Sequence, residues 1–91
     1  MVVIYLTQSC PYCKTAREML AEKGYPWQEI DLGEQPEEYE EMIQRSGRYS
    51  VPQIWIGERH VGGLDDLTAL NAAGELDVLL RAEDTGEERA M

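Results

Sequence analysis

Residues 1–6 read MVVIYL, an unbroken run of β-branched, aromatic and aliphatic side chains. A run with no polar alternate is the pattern of a strand buried on both faces. Thr7, Gln8 and Ser9 break it, and from Pro11 the periodicity turns helical. Proline suits a first-turn position, because the N–H it lacks would be orphaned there anyway. Cys13, Ala16 and Leu20 recur at spacings of three and four and mark one inward face. Gly24 is placed to cap this helix and Pro26 to stop it. WQEIDL, at 27–32, alternates as a second strand. Two strands with a helix between them predict a parallel pair with a right-handed crossover.

The remainder extends this pattern. EQPEEYEEMIQRSG reads as a polar helix ending near Gly47, with Tyr39, Met42 and Ile43 as its apolar stripe. VPQIWIG, 51–57, is a third strand, and a short fourth follows at 59–61. LDDLTALNAAG, 64–74, is a helix with Leu64, Leu67 and Leu70 inward. ELDVLLRA continues as a further short helix or turn. The order is β-α-β-α-β-β-α, one domain over residues 1–82 with no internal repeat or linker. Residues 83–91, EDTGEERAM, are charged with little to bury, and are expected to form a disordered tail. Trp27 and Trp55 read as strand or core residues and His60 as a hairpin residue without a catalytic role. The glutamates at 34, 37, 38, 40 and 41 read as a solvated helix face.

Both cysteines of the 91-residue chain stand in SCPYCK, at positions 10 and 13. With 43% hydrophobic and 29% charged residues the chain can build its own core, so it needs no disulfide framework. A Cys10–Cys13 bridge would close a very small loop and constrain the unfolded chain weakly. Zinc would want four ligands, and only His60 could join the two sulfurs. A redox pair remains. At the start of a helix, unsatisfied N–H groups and the helix dipole stabilise a thiolate on Cys10. Cys13, one turn on, is less exposed but near enough to attack a disulfide formed on Cys10. The net charge of −10 disfavours nucleic acid as a partner. No stretch approaches the length of a membrane span, and no export signal is visible, so the reducing cytoplasm is the expected compartment.

CPYC after a short first strand resembles the dithiol glutaredoxins. SVPQIWI at 50–56 is similar to that family's Thr-Val-Pro segment, and GGLDD at 62–66 to its Gly-Gly-x-Asp segment. The resemblance covers residues 1 to about 82 and implies a thioredoxin-like α/β fold, a four-stranded mixed sheet flanked by three main helices. It implies a glutathione-dependent thiol–disulfide oxidoreductase with Cys10 as nucleophile, Cys13 as resolving thiol and a redox disulfide between them. By the same resemblance Tyr12, Val51, Pro52, Gly63, Leu64 and Asp65 bind glutathione, and the Val51–Pro52 bond is cis. Elementary chemistry agrees: an early strand proline is tolerated at an edge or by a cis bond, and amides at a helix start can bind a carboxylate. Glutathione is then a co-substrate, with no tightly bound cofactor and no metal. The partners are disulfide-bearing or glutathionylated proteins, met by a monomer. Two alternatives are a redoxin served by thioredoxin reductase, and a module in which two subunits hold an iron–sulfur cluster through Cys10 and two glutathiones. Pro11 disfavours the second, since the cluster-carrying relatives usually have glycine there.

The chain departs from the family in one respect. Where relatives carry a lysine three residues before the first cysteine this chain has Thr7, and where they carry a basic residue early in the second helix it has Glu38 and Tyr39. Gln8, Gln53 and Arg48 are the side chains expected to compensate.

Overall fold

The computed structural model describes residues 1–85. Its elements are β1 (Val2–Leu6), α1 (Pro11–Lys23), β2 (Gln28–Asp31), α2 (Glu38–Ser46), β3 (Gln53–Ile56), β4 (Arg59–Gly62), α3 (Leu64–Ala72) and α4 (Glu75–Thr85). The four strands make one mixed sheet in the order β2-β1-β3-β4. β1 runs parallel to β2, antiparallel to β3, and β3 pairs antiparallel with β4. This is the thioredoxin-like arrangement that the sequence resemblance implies.

The two-sided burial of β1 follows from its alternation. Val2, Ile4 and Leu6 point into a core shared with Cys13, Ala16 and Leu20 of α1, Leu67 of α3, and Leu76 and Leu80 of α4. Tyr5 points the other way, into a smaller cluster with Leu32, Met42 of α2 and Trp55. Each large aliphatic side chain buried here contributes about 1.5–3 kcal/mol. On the second face Arg45 lies over the Trp55 ring and donates to the Tyr5 hydroxyl. His60 stacks on Trp55, and its Nε2 sits 2.8 Å from Gln53 Oε1. Gln53 Nε2 donates to the Ser50 carbonyl, so its Oε1 must accept and His60 Nε2 carries the proton. Burial holds the His60 imidazole below its ordinary titration range.

Two elements differ from expectation. Helix α2 begins only at Glu38, because Pro36 and the turns at 32–37 precede it. ELDVLLRA belongs to a full helix, α4, making four helices among the described residues in place of three; Leu76 and Leu80 are wholly buried and anchor it. The helix reaches Thr85, three residues into the segment expected as a tail, and the rest of that segment lies outside the described residues. Among the described residues no helix is long and apolar enough to cross a membrane.

Candidate active site

Cys10 is the N-cap of α1, with an extended backbone (φ −85°, ψ 115°), and Pro11 is the first helical residue. The cap group is the thiol itself: Cys10 Sγ accepts from the Cys13 backbone N–H at 3.2 Å. Capping normally falls to an oxygen of Ser, Thr or Asp. Here a sulfur fills that place, and negative charge on it meets an N–H donor and the positive end of the helix. Both cysteines are free thiols, Cys10 half-buried and Cys13 buried. Burial, and next the adjacent Cys10, push the Cys13 thiol up to about 12, so it is protonated at neutral pH. The same motif thus holds one reachable sulfur and one held in reserve.

Cys10 Sγ lies 3.9 Å from the Val51 carbonyl oxygen. The Val51–Pro52 bond is cis, as the resemblance implies. The β3 ladder begins at Gln53, leaving Val51 ahead of the paired strand. Next to it opens a cleft of about 400 Å³ lined by Tyr12, Arg48, Ser50, Val51, Pro52, Gly63, Leu64, Asp65 and Asp66. Every residue assigned to glutathione from the sequence therefore falls on one cleft beside Cys10. Tyr12 is 63% exposed and forms part of its open rim. Ser50 also lines the cleft and had no separate signal: it lies next to Val51 in the chain and its chemistry is ordinary.

The floor near α3 is tightly built. Gly62 has φ +117°, and a Cβ there would stand 2.3 Å from Asp66 Oδ2. Asp66 Oδ2 accepts from the Gly63 N–H at 3.0 Å and from Arg48 at 2.8 Å. The Arg48 guanidinium is the main cause that holds the Asp66 carboxyl below its usual range. Asp65, the neighbouring acid, is exposed and has no side-chain partner among the described residues. The two aspartates of this first turn thus do different work.

At the other end the polar groups are engaged with one another. Gln8 donates to Asp31 at 2.9 Å and accepts from Arg17 at 3.0 Å. Arg17 also pairs with Glu29, which accepts from the Trp27 indole. Gly33 donates to the other Asp31 oxygen, and the Gln8 amide foremost keeps this carboxyl below its usual range. Tyr39 donates to the Tyr49 carbonyl, tying α2 to the segment that leads into Val51. The expected compensators are accordingly all committed: Gln8 to Asp31, Gln53 to Ser50 and His60, Arg48 to Asp66. Gln8 and Gln53 use both ends of their amides, whereas Arg48 spends one terminal nitrogen and still lines the cleft. A second hollow, about 550 Å³, lies by Met1, Trp27 and Leu80, at the start of β1 and so far from the cysteines that follow its end.

Residues 2–61 match the family model described as glutaredoxin. The chain belongs to the glutaredoxin family. It is 54% identical over 81 residues to a glutaredoxin of Pseudomonas aeruginosa, a match that covers 89% of this chain and 96% of that one. It is 50% identical over 80 residues to glutaredoxin 3 of Escherichia coli, covering 88% and 96%. In three dimensions it superposes on a buckwheat glutaredoxin solved with glutathione, with a TM-score of 0.86 over 91% of this chain and 78% of that one. Identity there is 24%, so that likeness speaks to the fold. Thiol–disulfide oxidoreduction is the activity that goes with the family.

Proposed function

We propose that this chain reduces glutathione mixed disulfides and protein disulfides with glutathione as electron donor, Cys10 acting as nucleophile and Cys13 as resolving thiol. The observation that carries this is the placing of Cys10 Sγ: it caps α1, accepts the Cys13 N–H, and opens beside the cleft of Val51 and Pro52. Cys10 thiolate attacks the glutathione sulfur of a mixed disulfide. The old S–S bond breaks, the protein leaves as a thiolate and takes up a proton. A second glutathione thiolate then attacks the Cys10–glutathione disulfide, releasing glutathione disulfide and restoring the Cys10 thiolate.

For a protein disulfide, Cys10 thiolate attacks one sulfur, the protein's S–S bond breaks, and its other sulfur leaves as a thiolate that takes up a proton. Cys13 gives up its proton and attacks Cys10 Sγ, which frees the protein thiol and leaves Cys10–Cys13 oxidised. Two glutathiones restore the dithiol. The high Cys13 pKa suits this order, because Cys13 does not compete for the first attack at neutral pH. In the cleft, Val51's backbone is placed to pair with the extended tripeptide. The amides of Leu64 and Asp65 meet the γ-glutamyl carboxylate, and the Asp65 side chain meets its ammonium. Tyr12 and Pro52 flank the sulfur. The setting is the reducing cytoplasm, where the thiols stay available, and the working unit is one chain.

Single substitutions test the roles. Cys10→Ser is expected to abolish all exchange, and Cys13→Ser to keep removal of glutathione from mixed disulfides while losing reduction of protein disulfides. A Cys10→Ser protein active in either assay would overturn the assignment. Turnover with glutathione and glutathione reductase, set against turnover with thioredoxin reductase on one substrate, identifies the electron donor.

A further inference from the structure

Arg48 is the one cationic side chain among the described residues that line the cleft. Its backbone is fixed before its side chain is used. Gly47, in the left-handed region (φ 74°), ends α2 and turns the chain. The Ser46 hydroxyl then accepts from the Arg48 N–H at 3.0 Å and donates to the Arg48 carbonyl at 3.2 Å. From there the guanidinium reaches Asp66, eighteen residues on, at the start of α3. Gly62 leaves the space that this pair needs: a Cβ would meet Asp66 Oδ2 at 2.3 Å and the Arg48 terminal nitrogen at 3.0 Å.

The electrostatic problem at that spot is plain. Two carboxylates, Asp65 and Asp66, share the first turn of α3. The helix dipole offers only about half a positive charge at its N-terminus. An incoming carboxylate whose own ammonium pairs with Asp65 would still meet the charge of Asp66, which outweighs that half charge unless it is offset. The pair is half exposed, 47% and 41%, so its contribution to overall stability is small. Its effect is local. Asp66 is held on the Gly63 N–H, away from the amides of Leu64 and Asp65, and its charge is cancelled.

We propose that Arg48 is a positioning residue for the γ-glutamyl end of the thiol substrate: by binding and neutralising Asp66 it leaves the first turn of α3 able to take a carboxylate. This rests on the reading that glutathione occupies the cleft. Arg48 acts through Asp66 and not through the reacting sulfurs.

The test compares Arg48→Gln, Asp66→Asn and the double variant, reading the Michaelis constant for glutathione with a glutathionylated peptide as second substrate. Arg48→Gln is expected to raise that constant about fivefold to tenfold, a far larger effect than on kcat. Adding Asp66→Asn keeps an acceptor for the Gly63 N–H but removes the stranded charge. The double variant should therefore return to within about twofold of the wild type. Added salt should narrow the defect of Arg48→Gln by screening that charge. Alkylation by iodoacetamide, a neutral reagent, that takes Cys10 and spares the buried Cys13 shows that each variant keeps a folded thiol site. Should Arg48→Gln fail to fold, Arg48→Ala with and without Asp66→Asn gives the same comparison at the same site. A Michaelis constant unmoved by Arg48→Gln overturns the proposal, and so does a double variant worse than either single one, which would mark a purely structural clasp. A wild-type protein that does not saturate with glutathione would instead remove the assignment of the cleft, and the role of Arg48 with it.

Discussion

The two ends of the region around Cys10 are built on opposite plans. At the α3 end the backbone amides of the first turn, an Asp65 without a side-chain partner among the described residues and a charge-balanced Asp66 are arranged around open space. At the end where the 7–9 turn and α2 meet the cleft segment, Gln8, Asp31, Arg17 and Tyr39 spend their hydrogen bonds on each other or on backbone. The cation at that end, Arg17, is engaged by Glu29 and Gln8, Thr7 stands where the sequence resemblance implies a lysine, and α2 opens with Glu38, Glu40 and Glu41. The lesson is that polar residues near a site are not thereby ligands. A side chain whose hydrogen bonds are already made holds the scaffold, and one with bonds to spare is available to the substrate.

The contrast can be broken hardest at Gly62. Gly62→Ala puts a methyl group into the Arg48–Asp66 clasp at a positive φ, and is expected to cost about 2 kcal/mol. In a domain of this size that is a fall of roughly 10 °C in melting temperature. The Michaelis constant for glutathione should rise as well. The matching change at the other end is Gln8→Leu, which removes the bonds to Asp31 and Arg17. It should lower the melting temperature by less and leave the Michaelis constant where it was. If Gln8→Leu moves glutathione binding as much as Gly62→Ala does, the two ends are not different in kind.

A smaller effect sharpens the comparison from the other side. Thr7→Lys supplies a cation on the turn that leads into Cys10, and is expected to lower the Michaelis constant for glutathione several-fold, since an exposed pair contributes up to about 1 kcal/mol and tenfold is about 1.4. Salt should lower that constant in the wild type by screening the acidic α2, and should do so less in Thr7→Lys. A constant indifferent to both would mean that the glycine-end carboxylate is not read by charge.

The smallest expected effect is on acid stability. Asp31 and Asp66 both sit below the ordinary carboxylate range, Asp31 chiefly through Gln8 and Asp66 chiefly through Arg48. A depressed folded-state value means that the unfolded chain takes up protons first as pH falls. The stability these groups add is complete above the unfolded value, about 3.9, and drains away as pH drops through the folded one. Urea midpoints measured from pH 7 to pH 3 should therefore decline, and the decline should be shallower in Asp31→Asn and in Asp66→Asn. Parallel curves for all three proteins would show that neither carboxylate is linked to folding.

What the sequence by itself determined is whatever depends on neighbours within a turn or a strand. MVVIYL announced a strand buried on both sides, and Ile4 and Tyr5 do face different cores. The spacing of Cys13, Ala16 and Leu20 marked the buried stripe of α1, and Pro11 marked its start, so that Cys10 could be placed at the cap. These rest on helical and strand periods and on the orphan N–H groups of a helix end, which are local. The choice between Asp65 and Asp66 was not local. Both are good first-turn acids, and only a guanidinium brought in from the end of α2 singles out Asp66. The same holds for Gln8, whose partner Asp31 lies on the neighbouring strand β2, and for Val51, which meets Cys10 across forty-one residues of chain. Helix α4 was under-read as well, because a short polar-rich segment becomes a helix when Leu76 and Leu80 find a core to enter. Tertiary structure decided these points because a hydrogen bond or a buried leucine is worth something only once its partner is near, and no period along the chain encodes that distance.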